Sequence, residues 1–162
     1  MAKQFTLGKK ERVKSRKLIE QLFNEGKSFF LFPFKIFYII QSVSVSPLIV
    51  NDPRLQATDL RLPTSGSLRS APDSSLRFGV GVGTRNFKRA PDRNRIKRLT
   101  REAYRLQKSE LQEKIISHQF QCSLFFIYTG KELPDHLLVK EKTRLILDKL
   151  IKVVDENIAA TS

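Results

Sequence analysis

The chain has 162 residues, with 30 Lys and Arg against 16 Asp and Glu, which gives a formal net charge of +14. This length suits one domain with its own core, and the excess of positive charge points to a polyanionic partner: RNA, DNA or an anionic membrane surface. The apolar run from Phe29 to Ile40 has only twelve residues and contains Pro33 and Lys35, too short for a membrane span of about 20 residues.

Two elements are predicted before residue 42. A short amphipathic helix is expected from Ser15 to Asn24, because apolar residues recur at helical spacing and Gly26 follows. The segment from Phe34 to Ile40 is rich in aromatic and β-branched residues, which predicts a strand. Alternation along that strand places three residues on one face: Phe34, Ile36 and Tyr38.

Between about residues 42 and 75, Pro, Gly, Ser and Asp residues break every regular period. We predict a long flexible loop there, with a short strand near Leu48 to Val50 and no chemistry of its own. The whole chain, residues 1–162, is expected to form one domain that carries this loop as an insertion.

Regular structure returns at Leu76. The sequence LRFGVGVG predicts a strand with one nearly bare face, and a basic helix is expected from about Asp92 or Arg93 to near Lys108. The segment from Ser123 to Tyr128 predicts a buried strand, and a helix over 137–154 follows. The order of elements predicts an α+β fold, a small mixed sheet packed with helices.

Positive charge is concentrated around the basic helix. Residues 77–108 contain eleven Lys or Arg and two acids, a net charge of +9 out of +14. At about 100° per residue, Ile96, Leu99, Ala103 and Leu106 fall on one arc, which is the expected core face. The cations lie on another arc: Arg93, Lys97, Arg98, Arg101 and Arg105.

One interpretation of this basic arc is an ordinary solvated helix face without a partner. Solvated faces usually mix signs, because like charges at a spacing of four residues destabilise a helix. Arg93, Lys97, Arg101 and Arg105 are stacked at that spacing with no acid among them, which favours contact with phosphates.

The loop before the helix adds Arg85, Lys88 and Arg89 near the helix N-terminus, where free amides also favour anions. Asp92 is expected to cap that end. Asn94 suits a ribose, a base edge or a structural hydrogen bond.

The stretch RNRIKRLTREAYR, with KLIEQLFNEGKSF, FKIFYI and RFGVGV upstream in that order, resembles the protein component of bacterial ribonuclease P. That ribonucleoprotein removes the 5′ leader from precursor tRNA. The resemblance implies a fold like the second domain of ribosomal protein S5, with a left-handed crossover between parallel strands. It also implies a surface for the catalytic RNA, which six residues match by position: Arg93, Asn94, Arg95, Lys97, Arg98 and Arg101. The charge pattern adds four predicted RNA-binding residues: Arg85, Lys88, Arg89 and Arg105.

A second surface implied by the resemblance is a cleft that receives the single-stranded leader of precursor tRNA. By position its lining is expected from two residues of the first helix and two of the first strand: Ile19, Phe23, Ile36 and Tyr38. Unpaired bases stack on aromatic rings without sequence preference. The alternative for these apolar residues is a place in the ordinary core.

No catalytic residue is expected on the protein. His118 and His136 have no partner motif, and Cys122 is the single cysteine, which fits a cytoplasmic protein without zinc or disulfides. The resemblance implies that the RNA subunit holds Mg²⁺ and hydrolyses the substrate, so the protein needs no cofactor, small-molecule substrate or membrane. Two alternatives stay open: a structural rRNA-binding protein, and an RRM-like module that uses Phe125, Phe126 and Tyr128.

Overall fold

The computed structural model describes residues 7–42 and 75–161. The predicted loop insertion and the strand near Leu48 lie outside the described residues. Within them the chain forms four helices, α1 (Arg16–Asn24), α2 (Ala90–Gln107), α3 (Ser109–Ser117) and α4 (His136–Thr161), and four strands, β1 (Lys27–Leu31), β2 (Phe34–Ser42), β3 (Leu76–Val82) and β4 (Phe120–Tyr128).

The described strands form one mixed sheet in the order β1-β2-β4-β3. β1 pairs with β2 and β2 with β4 in antiparallel fashion, whereas β3 and β4 are parallel. A parallel pair needs a crossover, and here α2 and α3 supply it. The predicted α+β fold with a small mixed sheet is confirmed, while the left-handed crossover stays an expectation of the resemblance.

Strand β1 and helix α3 were not predicted from the sequence. β1 belongs to the apolar run before Pro33 and becomes recognisable as a strand only through its pairing with β2. Helix α3 starts after a single intervening residue, Lys108, so the periodic pattern of α2 hides the break between the two helices.

Most of the core lies on one face of the sheet. Inward side chains of β2, β3 and β4 pack there against α2, α3 and α4. Helix α1 covers part of the opposite face, where a second, smaller cluster contains Val13, Leu22 and Phe125. The sheet therefore has the main core on one face and only a small apolar cluster on the α1 face.

The face of β3 that lacks side chains is covered by an aromatic ring. A Cβ atom at Gly79 would lie 2.6 Å from the ring of Phe125 and 3.1 Å from Val13, and one at Gly81 would lie 3.1 Å from the same ring. The predicted bare face is therefore filled from β4: a side chain at Gly79 would force the Phe125 ring to move, and one at Gly81 would make a tight contact with the same ring.

The N-terminal segment protects the outer edge of β3. Val13 donates its backbone N–H to Phe78 at 2.9 Å, and Phe78 donates to the carbonyl of Glu11 at 2.7 Å. The Glu11 carboxylate accepts from Lys108 Nζ at 2.8 Å, and the Lys108 side chain is only 4% exposed. This ion pair fastens the segment to the junction of α2 and α3.

Candidate nucleic-acid interface

Helix α2 is oriented by its buried face. Four of its residues are buried: Ile96, Thr100, Ala103 and Tyr104. The Tyr104 ring stacks on Phe78 of β3 with centroids 3.8 Å apart and planes 6° from parallel. The predicted core arc is confirmed at Ile96 and Ala103, and Leu99 is half-buried and packs against the core. It was wrong at Leu106, which is exposed, and it left out Thr100 and Tyr104, which are buried.

The capping prediction for α2 was also wrong. Its N-cap is Arg89, with Pro91 in the first turn, and Asp92 lies inside the helix without making a side-chain cap. The helix begins earlier than predicted because Pro91 has no N–H to satisfy and its fixed φ suits a first turn. Asp92 still favours that turn by its charge.

The solvent side of α2 presents an array of hydrogen-bond donors. Asn94, Arg95, Arg98 and Arg101 are exposed, and Lys97 is half-buried. A shallow groove on this side is lined by Pro91, Asn94, Arg95, Arg98, Leu99 and Glu102. Guanidinium groups spaced along one helix can each donate two parallel hydrogen bonds to a phosphate.

Arg93 has a structural role that its sequence position did not indicate. One of its guanidinium nitrogens donates to the carbonyls of Phe87 at 2.8 Å and Lys88 at 2.7 Å. Those bonds tie the first turn of α2 to the preceding loop. Arg93 therefore stabilises the position of the loop next to the helix, and its predicted contact with RNA stays a prediction.

Arg105 is paired with Glu102, an acid that lies outside the row of cations at four-residue spacing. Its Nε donates to Glu102 Oε2 at 3.0 Å, and this hydrogen bond lowers the pKa of Glu102. Glu102 and Arg105 are three positions apart in the helix, whereas the sequence interpretation considered only residues that are four positions apart. Positive charge on this end of α2 is partly neutralised.

The loop before α2 is held in place by two adjacent residues, Asn86 and Phe87. Asn86 Nδ2 donates to the carbonyls of Thr129 at 3.0 Å and Gly130 at 3.2 Å, next to the end of β4. Phe87 is buried in the core. The three predicted cations of this loop remain exposed: Arg85, Lys88 and Arg89.

The four residues predicted to line a leader cleft do not all lie together. Phe23 is 41% exposed, and it packs edge-on against Phe37 at 4.8 Å and Phe125 at 5.5 Å between centroids. We call these three residues the aromatic patch. Ile19, also in α1, is half-buried and packs in the same cluster.

Ile36 and Tyr38 do not belong to this cleft. Both are buried in the main core, on the face that α2, α3 and α4 cover. Successive side chains of a strand point to opposite faces, so the odd-numbered residues of β2 face α1. The prediction that Ile36 and Tyr38 line a surface together with Phe23 was wrong, because they lie on the opposite face of the sheet, whereas Phe37 lies on the α1 face.

Lys35 and Phe37 are the residues that sequence reasoning missed. Lys35 is exposed, and its Nζ lies 5.0 Å from the centroid of the Phe37 ring, so a cation stands beside the aromatic patch. The signal was present in the sequence: a lysine inside an apolar strand indicates the face that is not fully buried.

A further cationic segment precedes α1. Residues 9–17 contain six Lys or Arg and one acid, Glu11, which is bonded to Lys108. The six cations are exposed: Lys9, Lys10, Arg12, Lys14, Arg16 and Lys17. Arg16 pairs with Glu20 at 3.1 Å, and the segment runs beside β3.

The remaining candidate groups have ordinary environments. His118 and His136 are exposed, and burial raises the pKa of the Cys122 thiol to about 12. Phe126 and Tyr128 are buried in the core, so the RRM-like use of sheet aromatics is wrong. In the described ranges no three His, Cys, Asp or Glu residues come together as metal ligands, and no helix is long and apolar enough to cross a membrane.

The fold and these surfaces define a small, basic α+β protein with a cationic helix on one side of its sheet and an aromatic patch on the other. The family model described as Ribonuclease P matches residues 7–149. The chain is 32% identical to the ribonuclease P protein component of Porphyromonas gingivalis over 92% of this chain and 87% of that protein. The chain belongs to the ribonuclease P protein family.

Two further similarities agree with this assignment. The chain is 38% identical to the ribonuclease P protein component of Chlorobaculum tepidum over 54% of this chain and 61% of that protein. Its structure is similar to that of the Staphylococcus aureus RNase P protein, with a TM-score of 0.51 and 16% identity over 88% of this chain and 94% of that chain. At that identity the structural likeness supports the fold alone.

Proposed function

We propose that this protein is the RNA-binding subunit of ribonuclease P. It assists the catalytic RNA in the endonucleolytic removal of the 5′ leader from precursor tRNA, by stabilising the folded RNA and by binding the leader. The observation that carries this proposal is the presence of two unlike surfaces on one small domain. Exposed guanidinium groups line α2, and a half-exposed aromatic patch with a neighbouring lysine lies across the sheet.

The cationic surface suits a folded RNA. Arg95, Arg98 and Arg101 would neutralise phosphates and release counterions, which supplies most of the sequence-independent affinity of such contacts. Asn94 can bond a ribose or a base edge beside them. Arg93, through its bonds to the carbonyls of Phe87 and Lys88, keeps the basic loop aligned with the helix.

The aromatic patch suits an unpaired strand. Phe23 and Phe37 present ring surface on which bases can stack, and Lys35 stands close enough to meet a phosphate of the same strand. Stacking and charge together bind without sequence preference, which is what leaders of different sequence require. The protein's contribution to catalysis is then positional, while the RNA subunit holds Mg²⁺ and performs hydrolysis.

Reconstitution tests this proposal. Adding the protein to a bacterial ribonuclease P RNA at low Mg²⁺ is expected to restore cleavage of precursor tRNA at the mature 5′ end. A protein that binds ribosomal RNA tightly and leaves this cleavage unchanged would instead be a structural rRNA-binding protein, and the proposal would be wrong.

Leader binding needs a separate measurement. Phe23→Ala is expected to lower the affinity of the holoenzyme for precursor tRNA more than for mature tRNA, because only the precursor has a leader to stack. Ile116→Ala, which removes an exposed apolar side chain from α3, is the matched control and should change neither affinity. Equal losses for both tRNAs in the Phe23 variant would indicate damage to the fold.

A further inference from the structure

The end of β1 and the turn that follows it carry two exposed aromatic side chains. Phe30 is 59% exposed and Phe32 is 64% exposed, with ring centroids 6.5 Å apart. Neither ring contributes to the core clusters of the described residues. Two neighbouring exposed phenylalanines form an exposed apolar patch, which is typical of an interaction site. The chain that carries them has a net charge of +14.

The strand register places Phe30 on the same sheet face as the aromatic patch. Phe30 is paired with Lys35, and Lys35 is paired with Ile127, while the neighbouring row joins Ser28, Phe37 and Phe125. Directly opposite residues share a face. The α1 face therefore continues past Lys35 to the free edge of the sheet, and an exposed lysine separates Phe37 from Phe30.

The same turn is fastened to the basic loop. The backbone N–H and the hydroxyl of Thr129 both donate to the carbonyl of Pro33, at 2.8 and 3.0 Å. Asn86 donates in turn to the carbonyl of Thr129 at 3.0 Å. Arg85, Lys88 and Arg89 are close to Asn86 in sequence. Hydrogen bonds through Thr129 therefore connect the turn that follows β1 to a loop with three cations.

Charge decides which occupant fits this surface. A second copy of a chain carrying +14 would bring more positive charge to a turn already flanked by exposed cations. An unpaired nucleic-acid strand offers base faces to the two rings and phosphates to Lys35. Alternation of rings and cations is the arrangement by which proteins bind single strands.

We propose that the leader-binding surface extends onto the edge of the sheet, where Phe30 and Phe32 stack on unpaired leader nucleotides beyond those at Phe23 and Phe37. This inference rests on the proposed function, because it requires the leader to reach the α1 face. Its consequence is a dependence on leader length. Short leaders occupy the aromatic patch alone, and longer leaders gain affinity from the edge.

The test compares reconstituted holoenzymes on precursor tRNAs whose leaders increase in length, with affinity measured under conditions that prevent cleavage. The Phe30→Leu/Phe32→Leu variant keeps apolar side chains on an exposed turn but removes both stacking surfaces. It is expected to bind short-leader substrates like the wild type and long-leader substrates about five-fold or more weakly. The Phe30→Tyr/Phe32→Tyr variant keeps both rings and is expected to retain the wild-type dependence on length.

Three outcomes separate this inference from the proposed function. If Phe23→Ala weakens binding of precursor tRNA while the double leucine variant matches the wild type at every length, the extension is wrong and the proposed function stands. If no variant and no leader length changes affinity, leader binding itself is wrong. A dimer of the protein that dissociates on the double leucine substitution would assign the rings to a second copy and overturn the extension.

Discussion

Arg93 and Arg95 lie two residues apart in α2, and their replacement by alanine is expected to affect different properties: stability for Arg93 and RNA binding for Arg95. Arg95 is exposed on the groove side, whereas Arg93 donates to two loop carbonyls. Arg95→Ala should remove one phosphate contact and flatten the dependence of log K on log salt by about 0.7 to 0.9. Arg93→Ala should flatten the slope by less, because Arg93 already donates to the carbonyls of Phe87 and Lys88.

The number of contacts removed determines the expected size of each effect. Removing Arg95, Arg98 and Arg101 together is expected to lower the slope by about 2 to 3, since each contact contributes about 0.7 to 0.9. Arg93→Ala should instead lower the free energy of unfolding by about 1 to 2 kcal/mol, because two hydrogen bonds from a charged donor are lost at a partly solvated site.

Two measurements check these expectations. Binding of the catalytic RNA is titrated across a range of salt concentrations for each variant, and urea unfolding reports stability. A triple variant that keeps the wild-type slope would contradict these expectations, since its three cations would then belong to a solvated face. Two single variants that change the slope by the same amount would contradict them equally.

Three other changes probe the supports of this interface. Glu11→Gln should lower the free energy of unfolding by about 3 kcal/mol in urea, because it leaves Lys108 buried without its carboxylate; a loss below about 1 kcal/mol would show that the pair is not needed. Glu102→Gln should strengthen RNA binding and steepen its salt dependence, since its arginine partner is no longer neutralised; unchanged binding would place that arginine away from the RNA. Cys122 should resist alkylation at pH 8 until the protein is unfolded, because burial raises its pKa to about 12, and fast reaction of the native protein would contradict this.

The sequence alone determined those properties that depend on local pattern and on total charge. The helical spacing before Asn24 predicted a helix, the alternation from Phe34 onward a strand, and the cations of residues 77–108 a basic surface. The observed bounds of α1, β2 and α2 lie within three residues of the predicted ones. Local periodicity also predicted the α+β class. These predictions needed no knowledge of which segments meet.

Tertiary structure decided which face of each element is buried. The alternation of β2 divides its residues into two sets but does not say which set the larger helical layer covers, so Ile36 and Tyr38 went to the core and Lys35 and Phe37 to the α1 side. Likewise, Arg93 and Arg95 look alike in sequence, and only the return of the loop beside the first turn of α2 gives Arg93 two carbonyls to bind. Burial and long-range hydrogen bonds depend on contacts between distant segments, which a one-dimensional pattern does not contain.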